Sequence, residues 1–458
     1  MKKNDLIPLT ITGITSEGSG VGRHDGMVIF VANSAVGDEL TVRIIKTSKT
    51  YCIGKIETID TPSPQRIDSD CPVFTQCGGC VFRHISYESE LALKQQRVAD
   101  AFQRVGGFST LPLQPIVGAK KTDRYRNKAQ LPIGRNRDGQ PILGFYANRT
   151  HRIVSCNDCA LQPVEFQGAI QAFQQWLLSS GETIYDETTH QGKLRHLYLR
   201  EGSKTGERMV CIVANGTSLR KESQLIQLLR EQVPGLQSVV LNTNRDKTNV
   251  ILGKEYRTLW GSDTITDELC GLRFQIAPAS FYQVNRDQAE RLYEIAADDS
   301  ALTGEEILLD LYCGTGTIGL TMAHKAKQLI GVEIIPEAIE NAKENARQNH
   351  IQNSEFFCGD AGKAARTLQK RGLRPHVVIL DPPRKGCSPD VLETVCQMAP
   401  DRIVYVSCDP ATLARDVKLL CEKGYALQKI TPVDLFPRTS HVETVCLLSR
   451  AKMNTTVR

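Results

Sequence analysis

Over the first sixty residues apolar and polar positions alternate in short bursts, LTITGI, GMVIFV, DELTVRII and CIGKIETI, parted by glycine-rich turns at 17–22 and at Gly37-Asp38. A period of two belongs to strands with one buried face, and short strands at even spacing predict a small β-barrel over residues 1–60. Thr61-Pro-Ser-Pro64 follows as a linker. From Ser86 to Arg104 the pattern becomes helical, stopped by Gly106-Gly107. Between Val117 and about Cys270 strands and helices mix without a clear period, so residues 61–270 are expected to form a central α+β unit. Part of 86–106 is free to pack on either neighbour. After Ala277 the two periods take turns: a helix over Asp287–Ala297, then the strands ILLDLY, QLIGVE, EFFCGD, VVILDPP and RIVYVSC, each followed by a helix. Two closing strands end in HVETVCLLS. Such alternation implies parallel pairing and a doubly wound, Rossmann-like sheet over 271–458, with ligands at the carboxyl ends of its strands. The whole reads as a multidomain α/β protein.

Three units suit a chain of 458 residues, which is longer than one core usually supports. With 41% hydrophobic and 23% charged residues the composition is that of an ordinary globular protein. The opening MKKNDLIPLT has no apolar signal segment and no later run is long enough to span a bilayer, so a cytoplasmic protein without a membrane partner is expected. Nothing demands an obligate protein partner, and a monomer suffices. The net charge of +5 is modest, but its distribution is not even. Between Val117 and Arg152 stand nine cations (Lys120, Lys121, Arg124, Arg126, Lys128, Arg135, Arg137, Arg149, Arg152) against Asp123 and Asp138, with Tyr125, Phe145 and Tyr146 interleaved. This is either a solvated basic face or a phosphate-tracking surface with aromatics for base stacking. Fifteen cysteines in a reducing compartment are not a disulfide framework; most belong in cores and a few are ligands or nucleophiles.

The chemistry concentrates in the last third. Gly314-Thr-Gly-Thr-Ile-Gly319 follows the strand ILLDLY and opens a helix, and Glu333 closes the next strand. Glycines let backbone approach a ligand, and the acid can accept from ribose hydroxyls. A nicotinamide dehydrogenase would show nearly the same fingerprint. Asp310 and Asp360 shift the balance, because several carboxylates repel a pyrophosphate but suit the cationic sulfonium and ammonium of adenosylmethionine. Asp381-Pro-Pro-Arg384 ends the fourth strand, a stiff loop able to hold a polar group beside a methyl donor. Ser407-Cys408-Asp409-Pro410 ends the fifth and places a cysteine at a helix N-terminus, which favours its thiolate. His441-Val-Glu443 is expected to begin the last strand, with His441 and Glu443 on one face. A thiol nucleophile, a carboxylate base and a methyl donor are the parts needed to alkylate carbon 5 of a pyrimidine, once addition at carbon 6 has made carbon 5 nucleophilic. Cys387 is a rival nucleophile without a base near it in sequence.

Phe281-Tyr-Gln283-Val-Asn285, DLYCGTGTIG, DPPRKG, SCDP and HVET, in that order, resemble the RNA (uracil-5-)-methyltransferase family, and the N-terminal segment resembles the TRAM domain, an OB-like RNA-binding barrel. The resemblance implies a class I methyltransferase domain using S-adenosylmethionine, Cys408 as nucleophile and Glu443 as base. It implies further that Gln283, Tyr312, Glu333, Asp360 and Asp381 line the cofactor and target-base pocket beside the Gly314 loop. The family more often has Asn at the position of Asp409, and an ionised acid there would oppose thiol deprotonation.

Cys71-x5-Cys77-Gly-Gly-Cys80 can wrap three thiolates around one centre, with Cys159 of Cys156-Asn-Asp-Cys159 as candidate fourth ligand. Four cysteines suit an iron–sulfur cubane or structural zinc. The resemblance favours a [4Fe-4S] cluster and, with the barrel, the 23S ribosomal RNA branch of the family. Four filled ligand positions would leave no iron open for radical chemistry, so a structural role is expected. A transfer RNA methyltransferase and a catalytically inert RNA-binding protein are the alternatives.

Overall fold

The computed structural model describes residues 1–451; the last seven residues of the expected 271–458 unit lie outside the described residues. Six strands, β1 (Leu6–Thr10), β2 (Gly13–Ile14), β3 (Gly20–His24), β4 (Met27–Val31), β5 (Glu39–Thr47) and β6 (Tyr51–Thr61), pair in the order β1-β5-β6-β4-β3-β2. Thr12 N–H donates to Val21 O at 2.8 Å beside the β2–β3 pairing. Alternate residues such as Leu9, Ile29, Val31, Val42 and Ile44 fill the inside. A strap of chain, 62–86, leaves the barrel tied by the ion pair of Arg66 with buried Asp38.

The strap ends in α1 (Tyr87–Ala101), where the Ser86 hydroxyl caps Ser89 N–H; a π-turn at Phe102–Gly106 and left-handed Gly107 close it. Its Val98 and Phe102 sink into the catalytic core, and residues 113–117 pair with the catalytic sheet through Leu113–Ile430 and Val117–Val433. In space, residues 87–117 therefore belong to the catalytic layer.

The chain then leaves for a second sheet of β7 (Lys128–Arg135), β8 (Pro141–Tyr146), β9 (Ile153–Ser155), β10 (Leu194–Glu201), β11 (Arg208–Ala214), β12 (Leu236–Thr243) and β13 (Glu255–Gly261). Its order is β13-β12-β11-β10-β7-β8-β9, antiparallel except for β11–β12. Helices α2 (Phe166–Ser180) and α3 (Glu222–Gln232) cover one face, with Phe173 and Trp176 fully buried. The hairpin β14 (Ile265–Leu269) and β15 (Leu272–Ile276) returns to the catalytic core and leads into α4 (Arg286–Ser300).

The third sheet holds β16 (Ile307–Leu311), β17 (Gln328–Glu333), β18 (Ser354–Cys358), β19 (Val377–Leu380), β20 (Arg402–Ser407), β21 (Tyr425–Val433) and β22 (Glu443–Arg450). Around it lie α5 (Thr317–Met322), α6 (Pro336–Gln348), α7 (Ala361–Lys370), α8 (Pro389–Met398) and α9 (Pro410–Glu422). The order is β18-β17-β16-β19-β20-β22-β21. The first five strands are parallel, and their near-continuous apolar runs follow from burial on both faces. The last strand departs from the expected parallel pairing: β22 runs antiparallel to both β20 and β21, because the 434–442 connection is too short for a crossover. Strand order reverses at β16, between β17 and β19, and there a crevice opens. Among the described residues no helix is long and apolar enough to cross a membrane.

Candidate active site

The turn after β16 is unusual from its first residue. Tyr312 has φ 68, a left-handed conformation costly for an aromatic side chain, and Gly314 (φ 55) and Gly316 (φ 81) continue it. The loop is pinned by acids. Gly314 N–H donates to Glu333 Oε2 at 3.1 Å, the N–H groups of Ile334 and Ile335 donate to Glu333 Oε1, and Gly319 N–H donates to Asp310 Oδ2 at 3.0 Å. Asp310 Oδ1 is buried without a partner. Burial, with Asp381 and Glu333 nearby, raises Asp310 to about 8. Asp360 caps α7, accepting from Lys363 N–H. The Gln283 carbonyl accepts from Asn127 Nδ2, and its side chain reaches Tyr293, whose hydroxyl lies 3.2 Å from Thr317 Oγ1 at the start of α5. Phe281, two residues before Gln283, is exposed. Gln283, Tyr312, Gly314, Glu333, Asp360 and Asp381 thus all stand at or beside the carboxyl ends of β16 to β19.

Cys408 follows β20 and Glu443 opens β22. The pairing Ser407↔Thr444, extended by one residue, sets Cys408 opposite Glu443. Glu443 is buried and raised to about 8 by that burial and by Asp381, with Arg384 acting against them. Asp381 is itself raised to about 7 by burial. Cys408 is half-buried. Burial, then Glu443 and Asp381, push its thiol to about 11 against the pull of Arg384. Burial and the two acids thus oppose the thiolate that the α9 N-terminus favours. The α9 N-terminus is in any case occupied by Asp409, whose Oδ1 accepts from Ala411 and Thr412 N–H at 2.9 and 3.1 Å. Cys387 sits deeper, at 3% exposure, beneath the Tyr405 hydroxyl at 3.4 Å.

His441 precedes β22 instead of beginning it; its N–H donates to Thr439 Oγ1. Its ring lies 3.5 Å from Arg384 Nη2, and burial with the surrounding Arg384, Arg97, Lys94 and Arg126 lowers it to about 4. The imidazole is therefore neutral, and Arg384 and Arg97 are the cations that act on the thiol. Sequence reasoning named no role for Arg384, although it stands inside DPPR. Arg97 arrives from α1, far away in sequence, and no local pattern could have marked it.

Three cations of the basic run between Val117 and Arg152 carry carboxylate partners. Arg124 pairs with Asp158, Arg149 with Glu17 and Lys121 with Asp287, while Tyr125 is buried with its hydroxyl on Pro437 O and cannot stack on a base.

A separate pocket gathers Cys71, Cys77, Cys80 and both Cys156 and Cys159, walled by Val73, Phe74, Phe145 and Leu161. Burial raises Cys80 and Cys156 to about 12, so these thiols stay protonated unless a metal replaces the proton. Among the described residues no three ligating side chains converge tightly enough for a single metal ion.

A doubly wound sheet with an acid-lined crevice beside a cysteine–carboxylate pair is a class I methyltransferase fold. The tRNA (Uracil-5-)-methyltransferase family model matches residues 86–451, and the TRAM domain model matches residues 2–56. An uncharacterized RNA methyltransferase of Clostridium tetani is 44% identical over 98% of this chain and 97% of its own. Another from Halalkalibacterium halodurans is 42% identical, covering 98% of each. The crystal structure of Pyrococcus abyssi tRNA (uracil-54, C5)-methyltransferase in complex with S-adenosyl-L-homocysteine is similar with TM-score 0.78 and 27% identity, over 96% of this chain and 100% of that one. The chain belongs to the RNA (uracil-5-)-methyltransferase family, with a TRAM domain at its N-terminus.

Proposed function

We propose that the protein methylates carbon 5 of a uridine in 23S ribosomal RNA, with Cys408 as nucleophile and Glu443 as base. The observation that carries the chemistry of this reading is the register that faces Cys408 with Glu443 across β20 and β22, beside Asp381 and Arg384. S-adenosylmethionine, when bound, supplies the electrophilic methyl group. The acids fit it: Glu333 and Asp360 stand at the ends of adjacent strands as ribose acceptors and anionic groups, and Asp310 keeps a buried oxygen without a partner. Gln283, Tyr312 and the Gly314 loop complete its walls. Cys408 Sγ, as thiolate, adds to carbon 6, which leaves carbon 5 electron-rich. After carbon 5 takes the methyl, Glu443 removes its proton and the electrons of that bond expel the thiolate. One methyl enters and one proton leaves. Arg384 is the cation that favours both the thiolate and the carboxylate.

Five thiols line the cysteine pocket, and of these Cys71, Cys77, Cys80 and Cys159 would hold a [4Fe-4S] cluster. The structure of the Pyrococcus abyssi enzyme supports a second reading, transfer RNA, because its likeness spans all three units. Nucleoside mass spectrometry of unmodified 23S and transfer RNA after incubation with the protein and S-adenosylmethionine decides. The expected result is 5-methyluridine in 23S RNA, absent with Cys408→Ala. A gain in transfer RNA alone selects the second reading, and no gain in either overturns both.

A further inference from the structure

The segment 434–441 leads directly into Glu443 and has no helix or strand of its own. Nearly every carbonyl along it is held from outside. Asp434 O accepts from Gln288 Nε2 at 2.9 Å, Leu435 O from Asn285 Nδ2 at 3.0 Å, Phe436 O from Lys94 Nζ at 3.1 Å and Pro437 O from Tyr125 Oη at 2.9 Å. Ser440 O accepts from Arg97. Between them, Arg438 O accepts from two consecutive amides, Val81 N–H at 2.8 Å and Phe82 N–H at 3.2 Å. Those amides follow Cys80 without a gap.

Arg438 is built to receive them. Its φ of 68 is a strained value for a side chain of this size. Its N–H donates to Glu90 Oε1 at 2.7 Å, and its guanidinium reaches Ile85 O and Thr122 Oγ1 and stacks over Tyr87. Strained backbone persists only where its surroundings over-determine it. Here they are the strap and α1.

We infer that the cysteine-bearing strap is a positioning element for the catalytic base, acting through the Val81 and Phe82 amides on Arg438 O. Whatever orders Cys71, Cys77 and Cys80 then orders the approach to Glu443. Arg438 is the positioning residue on the receiving side. This rests on the reading of Glu443 as the base.

That reading supplies the test. A misplaced base leaves nucleophilic addition and methyl transfer intact but slows proton removal, so the protein stays bonded to RNA; simple misfolding would instead lower bond formation. Val81→Pro removes the shorter hydrogen bond, and Arg438→Gly keeps the left-handed backbone while removing the side-chain anchors. Each variant is mixed with substrate RNA and S-adenosylmethionine, and SDS-stable protein–RNA adduct is quantified beside turnover. Both are expected to accumulate adduct, with kcat down roughly 10- to 100-fold and S-adenosylmethionine affinity within about twofold of wild type. Glu443→Gln is the control. If it builds no adduct, the base assignment fails. If it does, while Val81→Pro folds and turns over at the wild-type rate without adduct, the strap inference is overturned. Should Val81→Pro not fold, Phe82→Pro, which removes the second bond to the same oxygen, decides in its place.

Discussion

The turns after β19 and β20 each deliver a cysteine close to an acid, and only one of them faces the crevice. Cys387 is sealed: its N–H donates to Asp416 Oδ2 at 2.8 Å, the Tyr405 hydroxyl covers its sulfur, and burial lifts it to about 12. Cys408, at about 11, is hardly more acidic. Acidity in the ligand-free protein therefore does not separate a nucleophile from a structural thiol here. In the proposed mechanism access does, together with what faces the sulfur: Glu443 to take a proton and Arg384 to favour an anion.

Substitution makes the contrast sharpest. Cys408→Ala is expected to lower methyl transfer by about four orders of magnitude or more, since no other group can activate carbon 5; single-turnover assays with labelled methyl donor check it. The next effect is that of pH. Glu443 must be ionised to act and is raised to about 8, so kcat is expected to climb about tenfold per pH unit below that value and level off above it. Arg384→Met removes the cation that opposes both shifts, and a kcat/KM lower by roughly tenfold at neutral pH, with the pH profile displaced upward, is expected. Cys387→Ala should leave turnover within about twofold and cost about 1 kcal/mol of stability in denaturant unfolding.

The acids give a signature in stability as well. Asp310, Asp381 and Glu443 are all raised by burial, to about 8, 7 and 8. Folded, they bind protons more tightly than unfolded, so their contribution is full below the ordinary carboxylate range and is lost as pH rises through 7 to 8. The Tm of the ligand-free protein is expected to fall between pH 5 and 8, and Asp310→Asn should flatten that fall.

The sequence made the alternating strands of the barrel, the βα repeats, the glycine loop and the cysteine spacings legible, because each is a local pattern. It placed Cys408 and Glu443 in one mechanism through chemistry, while their juxtaposition depends on β22 inserting antiparallel beside β20. Helix polarity at Cys408 could be read locally, but the burial and the acids of two other strands that oppose it could not. In the basic run, adjacency in sequence hides the partners Asp158, Glu17 and Asp287. Arg97 and Lys94 were illegible for the same reason, being supplied by a helix that lies in the catalytic layer yet precedes the central sheet.

That placement has a consequence for how the molecule is made. Lys94, almost wholly buried, bonds Asp434 Oδ1 at 2.7 Å across 340 residues. During vectorial synthesis α1 emerges with its cation and apolar face uncovered and must wait, while the barrel and the central sheet fold, for β21 and the 434–441 segment to leave the ribosome. Closing so long a loop costs only slightly more entropy than closing a short one, so the delay is a matter of time more than of free energy. The nascent chain is thus exposed longest at the helix that the finished enzyme buries beside its active site, and chaperone demand should concentrate there.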